Sequence, residues 1–315
     1  KVLHVCTYYW QFVAWVMALV TSSAGVTIGF DVELFSRAAS WAQQIQGISL
    51  SQSSRCFSAG AFGGPLVVGL LTPQRNAMTL AAKNVEMTYF GLYRTVFKDG
   101  LLLGFRGGSR PMLSAVPQFT ALGPIYLWAE RRTQSPACGI AFAALAESFC
   151  TYSAQRSNAQ ILFNASRTNA TERVEVQPMT RLTGPGFTCH VLRNVFAMAG
   201  IRLISPYSRE VVKKVPGASR LSSESTHVAA DLASSIIAST LSMPFNHMFS
   251  WASCTPELQR MSYTERAKAM SNFMISNYQQ QGWRLFGRDL SVRISYTGLL
   301  FTIYAAVERS FVGKQ

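Results

Sequence analysis

Residues 99–107 read DGLLLGFRG, Asp99 to Gly107, and what stands on either side of them decides the fold. Upstream, Cys56 to Gln74 (CFSAGAFGGPLVVGLLTPQ) carries no charge and has Pro73 near its end. Downstream, Pro111 to Ala129 (PMLSAVPQFTALGPIYLWA) is again uncharged, with Pro117 inside. An apolar run of about 18 residues or more is long enough to cross hydrocarbon as a helix. The intervening Arg75 to Arg110 reads as a charged segment outside the bilayer. Gly60 and Gly64 form a GxxxG, which gives the upstream helix a flat face for close packing.

Moving outward, the same layout returns twice. Pro136 to Gln155 and Phe187 to Tyr207 form a second pair, with Glu147, His190, Arg193 and Arg202 inside it. Leu232 to Thr255, with Pro244 near its end, and Ile294 to Val307 form a third. The nonapeptide has partial counterparts in QGWRLFGRD, Gln281 to Asp289, and in Arg181 to Gly186. Three units emerge, at about 55–132, 135–215 and 228–312, and such periodicity bounds the architecture. A further uncharged run, Val5 to Phe30, opens on Tyr8, Tyr9 and Trp10, as an interfacial helix end does. The expected fold is therefore all-α and membrane-embedded, with three pseudo-symmetric pairs of transmembrane helices and one additional N-terminal transmembrane helix. The segments are 1–54 (helix and connector), 55–132, 133–225 and 226–315.

The pattern resembles the mitochondrial carrier family over residues 55–312. There each repeat has a proline followed by acidic and basic residues. It then carries an acidic residue, a glycine, four residues, an aromatic, a basic residue and a second glycine. Residues Asp99 to Gly107 match that second part in full. The resemblance implies a mitochondrial inner-membrane location and bound cardiolipin, whose phosphates sit at the starts of the second helices. Carried over by position, Gly100, Phe105, Arg106, Gly107, Gly184 and Gly282 are the lipid-binding candidates, and Ser114, Arg193, Asn194 and Tyr296 the substrate-cavity candidates. The fork of Arg193 suits a carboxylate or phosphate; the alternative is that it pairs with Glu147 or a lipid.

The departures are as informative as the match. In the family, the acid and base after each proline form salt bridges that close the cavity. Here Arg75, Gln155 and Asn246 stand at the acid positions, and Met78 and Phe249 at two of the base positions. The opposite gate is expected on Tyr126 to Glu130, Tyr207 to Val211 and Tyr304 to Glu308, none of which runs acid then base. Alternating access needs two states that each gain their own contacts, and neither ionic latch is legible. The expected function is a non-transporting accessory subunit of a large inner-membrane complex, a respiratory complex or ATP synthase. The alternative is a carrier of a small anionic metabolite.

Other classes receive less support. The net charge of +14 is spread at the ends of apolar segments rather than on one stripe, which suits anionic headgroups better than nucleic acid. Cys6, Cys56, Cys138, Cys150, Cys189 and Cys254 are scattered without a CxxC and read as reduced, buried thiols. The histidines have no metal-ligand spacing. No nucleophile–base pair stands out, so neither a cofactor nor an enzyme is expected.

Overall fold

The computed structural model describes residues 59–167, 169–214 and 223–312. The expected N-terminal helix over 5–30 and its connector lie outside these residues. Among the described residues the chain is helical and holds no strand.

A π turn at Ala59–Gly63 leads into α1 (Gly64–Leu70), which continues as α2 (Thr72–Lys83). The seam at Leu71 belongs to Pro73, which stands in the first turn of α2 and has no N–H to continue the ladder. The rod thus runs well past the expected end at Gln74. Arg75 and Asn76, expected in an extramembrane segment, are buried in it, because each finds hydrogen-bond partners on other elements. Next come α3 (Tyr89–Val96), a 3-10 turn at Leu102–Phe105, and α4 (Ser109–Thr133). The second pair is α5 (Pro136–Ala165), then α6 (Phe187–Ala199), a π turn and α7 (Ser205–Lys214) as one rod. The third is α8 (Ser223–Ser253) and α9 (Tyr263–Val312), broken at Gly282 by φ 61 and ψ −150. Ser262 and Glu265 open α9 with a reciprocal capping box.

The packing closes into a cycle. α1 packs on α4, α4 on α5, α5 on α6, α6 and α7 on α8, and α8 on α9, which returns to α1 and α2. Across the cycle α2 touches α5 and α8, and α5 touches α8. The first rods of the three pairs therefore converge at the end that carries the connectors. At that end each second rod starts after a glycine of positive φ: Gly107, Gly186 and Gly282.

Small residues set the rod spacing. A Cβ on Gly64 would stand 2.5 Å from the Phe119 ring, and one on Gly200 would stand 2.5 Å from the Ala238 Cβ. Gly123 faces nothing within 4 Å. Gly64→Ala is expected to destabilise by ~1–3 kcal/mol through overpacking, while Gly123→Ala gains up to ~1 kcal/mol of helix propensity. Thermal unfolding of the two variants in one detergent checks the pair; equal midpoints would contradict the close α1–α4 contact.

Many polar side chains are buried beside the hydrophobic clusters, and many large apolar ones face outward. Thr151, Ser157, Asn158 and Gln160 are buried, as are the guanidiniums of Arg156, Arg193 and Arg293. Leu66, Leu113, Leu203, Ile237 and Leu241 are exposed. Among the described residues three helices, Pro136–Ala165, Phe187–Lys214 and Val228–Ser253, are long and apolar enough to cross a membrane. The expected span Pro111 to Ala129, which lies in α4, falls short on hydropathy, since Pro111, Pro117, Pro124 and Gln118 lower its mean.

Candidate functional site

A pocket lies inside the cycle, where the rods converge. Arg75 of α2, Gln155 of α5 and Asn246 of α8 all line it. These are the three residues that the sequence comparison of the three segments sets at matched places. Arg193, Asn194, Arg293, Tyr296 and Glu147 are also in its wall.

Arg193 is the hub. Its Nη1 donates to Asn246 Oδ1 at 2.9 Å and its Nη2 to Gln155 Oε1 at 2.9 Å, so one guanidinium ties α6 to α8 and α5. It also stands 5.1 Å above the Phe249 ring, a cation–ring contact that gains strength away from water. Nη2 lies 2.8 Å from His190 Nδ1. Arginine only donates, so Nδ1 accepts and His190 is neutral with its proton on Nε2. That Nε2 then donates to Thr151 Oγ1 at 2.9 Å, and Thr151 in turn donates to the Glu147 carbonyl at 2.8 Å. The threonine proton is thus directed away from the histidine, and the pair is not arranged as nucleophile and base.

A second link crosses the pocket. Arg75 donates to the Tyr296 hydroxyl and stands 5.3 Å from that ring, joining the first unit to the third. Arg293 donates to Ser242 Oγ from Nε and Nη2, each at 3.3 Å. Glu147 accepts from Gln118 at 2.7 Å rather than pairing with Arg193. That corrects the expected Glu147–Arg193 partnership: the two side chains share the pocket wall but form no ion pair. Three guanidiniums and one carboxylate leave the wall with an excess of positive charge, and a small oxyanion is the complementary ligand. Among the described residues no group of His, Cys, Asp or Glu is arranged to hold a metal.

Of the substrate positions named from sequence, Arg193, Asn194 and Tyr296 line this pocket and Ser114 does not. The Ser114 hydroxyl is turned back onto its own helix, donating to Pro111 O at 3.0 Å. The lipid candidates fall in three separate connectors. Gly100, Phe105, Arg106 and Gly107 are in the turn before α4, Gly184 precedes α6, and Gly282 interrupts α9. Phe105 is exposed and Gly107 is packed against Asn158.

Sequence reasoning missed two ion pairs. Arg288 and Asp289 form a buried ion pair at 2.7 Å, with His247 Nδ1 3.2 Å from the same carboxylate. The only sequence sign was the Arg-Asp pair at the end of the partial motif. Towards the other end of the cycle, Arg209 of α7, within the expected gate stretch Tyr207 to Val211, pairs at 3.3 Å with Asp231 of α8, which lies outside every expected gate stretch. This pair is partly exposed and links neighbouring rods, so it is worth ~0–1 kcal/mol. The four described cysteines, Cys138, Cys150, Cys189 and Cys254, are free. No protein-family model and no curated protein matches the chain.

Proposed function

We propose that the chain is a multi-pass membrane protein of mitochondrial carrier type, three helix pairs about a pseudo-threefold axis in the mitochondrial inner membrane. In this reading it is a non-transporting accessory subunit of a large inner-membrane complex, such as a respiratory complex or ATP synthase. Its lipid partners include cardiolipin. The observation that carries the reading is the meeting of Arg75, Gln155 and Asn246 in one pocket, where no carboxylate stands at any of the three positions. The hydrogen bonds of Arg193 to two of them hold that end closed with neutral acceptors. A carboxylate latch can exchange between partners of opposite charge as the two ends alternate. Here Arg193 is instead held by the amides of Asn246, Gln155 and Asn194, by the His190 imidazole and by the Phe249 ring. The buried arginines and the outward-facing large apolar side chains support the lipid setting, since ionisable residues in a bilayer face the protein interior.

Extraction in mild detergent followed by native electrophoresis tests this. The chain is expected to migrate within a particle far larger than its own 34.7 kDa, together with other subunits. Recovery as a lone monomer would overturn the subunit assignment.

A second reading has its own observation. The excess of positive charge at Arg75, Arg193 and Arg293 suits a carrier of a small carboxylate or phosphate. In that case Arg193→Ala abolishes saturable anion exchange, whereas in the subunit reading there is no exchange to lose.

A further inference from the structure

Below the pocket, at the connector end, the three first rods meet again. Lys83, Phe163 and Cys254 each stand eight residues after Arg75, Gln155 and Asn246 respectively. They close on one another from three units. Lys83 Nζ donates to Thr255 Oγ1 at 2.8 Å. The same ammonium stands 5.5 Å from the Phe163 ring and 5.6 Å from the Trp251 ring. Cys254 is buried in the same layer, in contact with Ala159 and Phe163. Gln160 of α5 adds a bond to the Ser253 carbonyl of α8 at 2.9 Å.

We propose that Lys83 is a cation–aromatic latch: its ammonium, held by the Phe163 and Trp251 rings and the Thr255 hydroxyl, pins the ends of α2, α5 and α8 together and closes the connector end of the ring. The chemistry favours charge over shape. An ammonium is attracted to the negative faces of two rings at once, and the attraction strengthens where water is excluded. The latch is independent of whether the protein transports anything, and its test does not depend on a partner.

The latch predicts a readout at Cys254. In the full chain in mild detergent, Cys254 is expected to resist a bulky maleimide, with labelling quantified for each cysteine by mass spectrometry. Lys83→Gln, which keeps much of the length but removes the charge, is expected to raise Cys254 labelling at least about tenfold, the lower bound set by losing two cation–ring contacts and a hydrogen bond. Lys83→Arg keeps the cation and stays protected. Phe163→Leu, which removes a ring and leaves the lysine, exposes Cys254 as Lys83→Gln does; it stands in should Lys83→Gln not fold. Buried Cys189 reports the rest of the bundle and stays protected in all three. The proposal fails if Cys254 remains protected in Lys83→Gln and Phe163→Leu. It fails equally if Lys83→Arg labels as fast as Lys83→Gln, or if Cys254 labelling rises only in step with Cys189.

Discussion

Arg288→Ala is expected to destabilise the protein by ~3–5 kcal/mol, the range for removing one partner of a buried ion pair. Arg288 does two things at once. Its Nη1 donates to the carbonyls of Asn84, Val85 and Met87 and its Nη2 to that of Ala81, at 2.8–2.9 Å, where α2 ends. Those carbonyls have few partners of their own at a helix C-terminus, and a cation there also meets the negative end of the helix dipole. The same guanidinium holds Asp289 at 2.7 and 2.9 Å. Alanine leaves Asp289 buried with only His247 and the Tyr278 hydroxyl for company. Arg288→Lys keeps the charge, but an ammonium cannot reach four carbonyls and a carboxylate, so this variant should recover only part of the loss. Replacing both partners, as in Arg288→Met with Asp289→Leu, should cost less than Arg288→Ala alone, because no uncompensated charge remains. Thermal unfolding in detergent measures the series. An Arg288→Ala variant as stable as the wild type would remove the clamp from the account.

The second large effect belongs to Gly107. Its φ of 77° lies in the left-handed region, and a Cβ there would stand 2.3 Å from Asn158 Oδ1. Asn158 is fully buried on α5 and donates to Asn76 Oδ1 at 3.2 Å. Asn76 on α2 donates in turn to the carbonyls of Gly104 and Arg106, at 2.9 and 3.2 Å. One methyl group therefore strains the backbone and breaks a chain of amides that fastens the DGLLLGFRG turn to two rods. Gly107→Ala is expected to lose ~1–2 kcal/mol from the backbone and a further ~1–3 kcal/mol from the orphaned buried amides. Combining it with Asn158→Ala should relieve the clash but not the backbone strain. If Gly107→Ala unfolds within about 1 kcal/mol of the wild type, the turn is not held as described.

Much of this architecture can be read from the chain, and its errors have a common cause. The uncharged runs mark where rods lie, and Pro136 marks the start of α5. Hydropathy ends the rods too early wherever their inward face is polar. The α5 rod runs to Ala165, past the expected Gln155, because Arg156, Ser157, Asn158 and Gln160 are buried between rods. The α2 rod continues through Arg75 to Lys83 for the same reason. Position in the repeat is the better guide: it puts Arg75, Gln155 and Asn246 at matched places, and they line one pocket. It does not reveal partners. Arg193 takes amides and an imidazole rather than Glu147, and Ser114 bonds to its own helix, since both outcomes turn on rod rotation and side-chain reach. Lys83 and Arg288 lie outside the gate positions carried over from the family the sequence resembles, and the packed rod ends disclose what each one joins.

The central claim is that the polar centre of the ring is fastened and does not alternate. Reconstitution into cardiolipin-containing liposomes tests it directly, by measuring exchange of labelled carboxylates, phosphate and nucleotides for the wild type and Arg193→Ala. The account predicts no saturable exchange with any of them and identical background leak for the two proteins. Saturable exchange by the wild type that disappears in Arg193→Ala would contradict it, and would make Arg193 the anion-binding residue of a working carrier.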